Sequence, residues 1–158
     1  MKYFLFILLI LFSLTLSAQR TIYAVFGDND LSGGLRYDQE LRMNQYTGNA
    51  LGFYGMASYG VYNTEQKGHV PHLKASAGLS FYNHWRPLMS KMGNIVFAGL
   101  SYHYYDKTDA NMDYIPKWAF TQVSFETGVG IFTQRFSMAF TYDPLKKDAS
   151  IGIGIRFK

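Results

Sequence analysis

Apolar and polar side chains alternate along most of this chain, and the alternation is clearest at its end. Between Ser150 and Lys158 the large apolar residues all fall on one face of an extended strand: Ile151, Ile153, Ile155 and Phe157. The residues between them are small or charged and fall on the other face, because successive strand side chains point to opposite sides. The pattern predicts a strand with one face suited to lipid.

Seven earlier segments show the same alternation and are separated by turn-forming or polar residues. The eight predicted strands are Thr21–Gly27, Leu35–Asn44, Leu51–Tyr62, Leu73–Asn83, Asn94–Tyr105, Trp118–Val129, Gln134–Tyr142 and Ser150–Lys158. The first is shorter than the roughly 9–11 residues that a tilted membrane strand needs. The pattern predicts an all-β fold, an antiparallel up-and-down transmembrane barrel of about eight strands, in which the last strand closes on the first. Because alternation alone does not say which face points inward, a soluble secreted barrel stays open as an alternative.

The N-terminal residues have the pattern of a targeting segment. Lys2 precedes an apolar run from Tyr3 to Leu16, which is too short for a comfortable membrane helix and is followed by Ser17 and Ala18. We expect a signal peptide over residues 1–18, cleaved after Ala18, and a barrel domain over residues 19–158. The sequence contains no cysteine, so neither a lipid-modified cysteine nor a disulfide can form.

Charged residues lie mainly on the polar faces of the predicted strands. If those faces point inward, both signs of charge meet inside the barrel, where we expect ion pairs and a polar plug, with Glu126 paired to Arg135. The predicted interior network is Arg36, Asp38, Glu40, Arg42, Lys74, His103, Glu126, Arg135 and Arg156. On this facing Ile153→Asp should block assembly, whereas Gly154→Ala on the inner face should be mild.

If the N-terminus starts in the periplasm, the connections 28–34, 63–72, 106–117 and 143–149 lie outside the cell, which puts the two longest polar loops there.

The chain resembles the small Gram-negative outer-membrane barrels, including the OmpA-type and porin-like barrel domains. The resemblance covers the signal ending at Ala18-Gln19, the alternating strands and the penultimate Phe157. It implies an outer-membrane location, contact with outer-membrane lipid, and a terminal aromatic read by the barrel assembly machinery; here Lys158 follows that aromatic. The resemblance implies no shared catalytic residues.

The residue types of a hydrolase are present, because Ser101 and His103 share a face and Glu126 lies on the next strand. If Tyr105 pairs near Trp118, Glu126 lies opposite about position 97, some four residues or about 13 Å along a strand from Ser101, which is too far for a hydrogen bond. We therefore predict no catalytic residues.

Metal ligands are also incomplete in the sequence. His69, His72 and Glu65 could supply donors in one loop, and Asp28 and Asp30 begin a calcium-like loop that ends at Gln39 instead of Glu. We therefore predict no metal and no cofactor. We also predict no nucleic-acid partner, because the basic residues are scattered through the sequence.

The sequence favours a non-enzymatic barrel with a plugged interior, acting as a structural or adhesion protein or as an accessory subunit with an envelope protein partner. The alternatives are a lipid-modifying outer-membrane hydrolase and, third, a narrow pore.

Overall fold

The computed structural model describes residues 19–27, 32–41, 43–44, 46–64, 68–85, 92–105 and 122–157. These residues form eight strands: β1 (Gln19–Gly27), β2 (Gly33–Glu40), β3 (Asn49–Thr64), β4 (Gly68–His84), β5 (Gly93–Tyr105), β6 (Val123–Phe132), β7 (Phe136–Asp143) and β8 (Asp148–Phe157). Each strand pairs with its neighbours in chain order, and the sheet is a closed barrel. Within the described ranges, no helix is long and apolar enough to cross a membrane.

The barrel closes between its first and last strands. β8 pairs antiparallel with β1, from Arg20 opposite Phe157 to Gly27 opposite Ser150. Closure leaves no sheet edge unpaired along these residues, as a strand in hydrocarbon requires. The predicted all-β antiparallel barrel of eight strands is confirmed.

Several strand boundaries differ from those expected; β2, for example, starts at Gly33 and ends at Glu40, four residues before the expected end at Asn44. β1 starts at Gln19 and has nine residues, so the first strand is long enough for a membrane strand after all. β3 and β4 are the longest strands, with 16 and 17 residues, and pair with each other along their whole length. β6 starts at Val123, and the expected start at Trp118 lies outside the described residues.

The apolar faces of the strands point outward. On β8, the four expected apolar side chains are 40–62 % exposed, whereas Gly152, Gly154 and Arg156 between them are buried. The other strands repeat this pattern, with large exposed residues such as Leu35, Leu79 and Leu100. A soluble barrel would bury this face, so the facing is that of a membrane barrel. Tyr105, the last residue of β5, faces inward and is buried.

Several inward aromatic rings lie over glycines of the neighbouring strands. A Cβ placed on Gly154 would lie 2.7 Å from Cδ1 of Tyr23 and 2.8 Å from the carbonyl oxygen of Ile22. A Cβ on Gly78 would lie 2.6 Å from Cε1 of Tyr54. At these positions the absence of a side chain makes room for a ring inside the barrel. An added methyl group would overlap the ring and push the neighbouring strands apart.

Gly154→Ala should lower the free energy of unfolding by about 1–3 kcal/mol, because the added methyl group overlaps backbone as well as a ring. This differs from the mild effect that its inward position alone suggested. Gly152→Ala is the matched control, since its Cβ would come no closer than 3.3 Å to Tyr23. Denaturant titrations of both variants in detergent check the difference, and equal midpoints would contradict it.

The two ends of the barrel differ in their connections. The end that carries Gln19 and Phe157, called here the terminal end, has the connections 41–48, 85–92 and 133–135. The opposite end, called the loop end, has the connections 28–32, 65–67, 106–122 and 144–147. The longest connection in the barrel, 106–122, therefore lies at the loop end.

A candidate functional site inside the barrel

Most of the predicted interior charges lie where the alternation placed them. Seven of the nine are inward and buried: Arg36, Asp38, Glu40, Lys74, His103, Glu126 and Arg156. Arg42 lies outside the described residues. Arg135 does not belong to the interior, because it lies exposed in the turn between β6 and β7. That turn is held by the Thr133 side chain, whose oxygen accepts the backbone N–H of Arg135 and Phe136.

A single arginine occupies the middle of the barrel. Arg36 donates from Nε and Nη2 to the two carboxylate oxygens of Asp38, at 2.6 and 3.0 Å. Its guanidinium carbon lies 3.7 Å from the ring centre of Phe97 and 4.2 Å from that of Tyr54. Such contacts are stabilising when water is excluded, and Arg36 is 2 % exposed. This group, Arg36, Asp38, Tyr54 and Phe97, is called the central plug.

A second cluster lies toward the terminal end. One carboxylate oxygen of Glu40 accepts a hydrogen bond from Arg156, and the other lies 2.7 Å from Nε2 of His84. The Arg156 guanidinium lies over the Phe132 ring, 3.8 Å from its centre. The Tyr82 hydroxyl donates to Asp38 at 3.3 Å, which links this level to the central plug. Each buried carboxylate here therefore has a donor.

The third cluster lies toward the loop end. Nζ of Lys74 lies 2.8 Å from Glu126 and 3.9 Å from Asp148. The expected pair of Glu126 with Arg135 is wrong, because Lys74 on β4 is the ion-pair partner and Arg135 is in the opposite turn. Glu126 lies opposite Gly99, two residues from Ser101, and not opposite position 97.

Beside this pair runs a chain of hydrogen-bonded side chains on four strands. Nε2 of His72 lies 2.9 Å from Nδ1 of His103, whose own Nε2 lies 2.8 Å from Oγ of Ser124 and 3.1 Å from Oγ of Ser101. Ser124 donates to Oδ2 of Asp143. His72, expected in a loop, is an inward residue of β4 whose ring stacks on Tyr105. This set, His72, His103, Ser101, Ser124 and Asp143, is called the histidine–serine chain.

The direction of these hydrogen bonds follows from the protons available. The Ser124 hydroxyl has one hydrogen, which goes to Asp143, so Nε2 of His103 must be the donor toward Ser124. A neutral His103 then accepts at Nδ1 from Nε2–H of His72. A serine nucleophile requires the reverse, a histidine nitrogen that accepts the hydroxyl proton. In this arrangement the Ser124 hydroxyl donates to Asp143 and not to a histidine.

Asp143 connects this chain to the loop end. Its Oδ1 accepts the backbone N–H groups of Leu145 and Lys146, both at 3.0 Å, in the turn between β7 and β8. Nζ of Lys146 lies 5.1 Å from the ring centre of Tyr105. The turn also contains Lys147 at φ 53°, a left-handed conformation that few non-glycine residues adopt. Contacts of the buried chain therefore fix the shape of this turn.

Sequence reasoning missed Ser124, Asp143 and His72 as partners of His103. The alternation predicts that these three side chains point inward. Their distance from His103, however, depends on the strand register, which places Ser101 opposite Ser124. Among the described residues no group of three or more histidine and acidic side chains could hold a metal ion. Of the two loop sets considered for metals, Asp28, Asp30 and Glu65 lie outside the described residues.

Comparisons with known proteins agree with this architecture. No protein-family model matches the sequence, and no curated protein matches it either. The structure is similar to the crystal structure of Neisserial surface protein A (TM-score 0.53, 16 % identity, 89 % of this chain and 94 % of that one). It is also similar to the outer membrane enzyme PagL (TM-score 0.50, 14 % identity, 89 % of this chain and 99 % of that one). The chain therefore has the fold of the small eight-stranded outer-membrane β-barrels.

Proposed function

We propose that this protein is a closed, non-conducting and non-enzymatic barrel in the outer membrane of a Gram-negative bacterium. The loop end faces the outside of the cell, and the protein works there as a structural or adhesion protein or as an accessory subunit of an envelope complex. Its partners are outer-membrane lipid, the barrel assembly machinery that reads the strand ending in Phe157, and an envelope protein that contacts the loops. Cleavage of a signal peptide after Ala18 remains part of this prediction.

Two features support the location and orientation. The outward faces of the strands are apolar around the barrel, as lipid contact requires. The longest connection lies at the loop end, and outer-membrane barrels generally have their longer loops outside the cell.

The central plug is the observation that carries the proposal. Eight strands leave an interior just wide enough for side chains. Here Arg36 fills the middle level against two aromatic rings, and its charge is matched by Asp38. Ion pairs lie above and below it, so ions would have to displace buried and paired groups to pass.

The purified protein in planar bilayers should therefore show no steady ion current. Insertion is verified independently on the same sample by the faster migration of unheated protein on a detergent gel. Stable single-channel steps from correctly inserted wild-type protein would contradict the plug and favour the pore. Arg36→Ala is a useful comparison, because removing the central side chain should raise the frequency of current bursts above the wild-type level.

A lipid-modifying hydrolase is the second candidate, because His103 and Ser124 are within hydrogen-bonding distance of each other. Two observations oppose it. Ser124 and His103 are 3 % and 0 % exposed inside the barrel, where an acyl substrate in the membrane does not reach. The hydroxyl proton is directed to Asp143 and not to the histidine.

A serine-reactive fluorophosphonate should leave the folded protein unlabelled. Ser124→Ala and Ser101→Ala should behave like the wild type in this experiment, and mass spectrometry of the whole protein checks all three. Covalent labelling of the wild type that Ser124→Ala abolishes would contradict the non-enzymatic proposal and establish the hydrolase in its place.

A further inference from the structure

Two histidines are packed against each other inside the barrel. Nε2 of His72 lies 2.9 Å from Nδ1 of His103, and the two rings are nearly parallel, with their centres 5.0 Å apart. The side chains are 4 % and 0 % exposed, so bulk water does not separate them. Because a hydrogen bond joins one donor to one acceptor, these two nitrogens share a single hydrogen.

This contact limits the positive charge that the pair can take up. If one ring becomes cationic, a single hydrogen still lies between Nε2 of His72 and Nδ1 of His103, and the hydrogen bond is kept. If both rings become cationic, two N–H groups point at each other and two like charges meet in a dry interior. The observed geometry therefore accommodates one added proton and excludes a second.

The charges around the pair favour that one proton. Lys74 lies directly opposite His103 on the neighbouring strand, and the Tyr105 ring stacks on His72. Among the described residues, the inward charged groups of this region are three carboxylates and two lysines: Asp143, Glu126 and Asp148 against Lys74 and Lys146. Lys147 of the same turn is exposed, so water and salt screen its charge. One positive charge on the histidine pair would therefore balance the region.

Asp143 joins the histidine pair to the turn between β7 and β8. Its Oδ2 accepts the Ser124 hydroxyl and lies 3.5 Å from Nε2 of His103. Its Oδ1 accepts the backbone N–H groups of Leu145 and Lys146. A positive charge on the pair attracts this carboxylate, so a change of charge there reaches the turn through one side chain.

We propose that His72 and His103 form a site for one proton, and that binding of this proton shifts the turn between β7 and β8. Between about pH 8 and about pH 5, where histidine changes its charge, the pair takes up the proton and Asp143 moves toward His103. The turn follows, because the same carboxylate holds its two amides. The inference goes beyond the proposed function and holds for either direction of insertion.

Nuclear magnetic resonance of the isotope-labelled protein in detergent micelles tests this coupling. Between about pH 8 and about pH 5, the amide signals of Leu145 and Lys146 should shift along one titration curve, with the same midpoint as the ring signals of the histidine pair. His103→Gln is the deciding variant, because glutamine can donate to Ser124 and accept from His72 but takes up no proton. In that variant the amide shifts should be lost over this range.

His84→Gln is the matched control, because His84 contacts Glu40 toward the terminal end of the barrel. It should leave the titration of the turn unchanged. The protons are counted by potentiometric titration of the folded wild type against the double variant His72→Gln, His103→Gln. The wild type should take up about one proton more than the double variant over this range, and not two.

Amide signals of the turn that stay fixed in the wild type, or that shift equally in His103→Gln, would overturn the inference. Uptake of two protons by the pair would do the same. The faster migration of unheated protein on a detergent gel shows which variants are folded. The comparison of amide and ring midpoints uses the wild type alone, so it decides the question even where a variant does not fold, and midpoints that differ would refute the coupling.

Discussion

Lys74→Met should lower the free energy of unfolding by about 3–5 kcal/mol. Glu126 is 0 % exposed, and Lys74 at 2.8 Å is its ion-pair partner. Without that lysine a carboxylate stays buried with no compensating positive charge. A denaturant titration of the refolded protein in detergent measures the loss.

Glu126→Gln is the matched comparison and should cost less. In that variant Lys74 keeps Asp148, which lies 3.9 Å away. The double variant with both changes should recover much of the loss caused by Lys74→Met, because position 126 no longer carries a buried negative charge. Additive effects of the two single substitutions would show that the pair does not interact as the structure indicates.

Ile153→Asp should prevent assembly or lower the free energy of unfolding by up to about 2–4 kcal/mol, somewhat less than an arginine or lysine at the same depth. Ile153 is 55 % exposed on the outer face of β8, near the middle of that strand. A carboxylate there meets hydrocarbon on one side and a paired strand on the other. The fraction of protein with the mobility of the folded form on an unheated gel measures assembly.

Ile153→Leu and Ile153→Asn are the control variants for Ile153→Asp. Leucine keeps the apolar surface and should assemble like the wild type, while asparagine has nearly the shape of aspartate without its charge and should fall between the two. If aspartate and leucine assemble equally well, the outer face of β8 is not in contact with lipid.

The faces of the strands could be predicted from sequence because a membrane barrel separates apolar from polar side chains with a period of two. Ile151 to Phe157 illustrate this, since both the outward face and the closure onto the first strand are confirmed. The interior positions of Arg36 and Glu126 followed from the same rule. Arg135 did not, because the turn around Thr133 ends the alternation just before β7 begins.

Strand register could not be predicted in the same way. A shift of two residues between neighbouring strands leaves every side chain on its own face, so alternation gives no information about it. The estimate for Glu126 was wrong by two positions for this reason, since it lies opposite Gly99. The histidine–serine chain could not be predicted for the same reason. It depends on the strand register, which places Ser101 opposite Ser124 and His72 beside His103.

The expected effect of Gly154→Ala depends on packing between strands, a second kind of information that the sequence lacks. Position on the inner face suggested a tolerant site, but the Tyr23 ring occupies the space that the methyl group would need. Neighbouring Gly152 has the same facing and more room. Such differences arise from packing between strands, which one sequence does not reveal.

A cysteine scan along β7 tests the central claim, that the apolar face meets lipid while the polar face fills the interior. The chain has no cysteine of its own, and three of the four inward residues of this strand are small: Ser137, Ala139 and Thr141. Single cysteines are reacted with a nitroxide spin label in lipid vesicles, and collision rates with oxygen and with a water-soluble nickel complex are measured. Labels at Phe136, Met138 and Phe140 should collide mainly with oxygen, while cysteines at the inward positions should resist labelling in the folded protein. Inward cysteines that label freely, or outward labels that collide mainly with the nickel complex, would contradict the account.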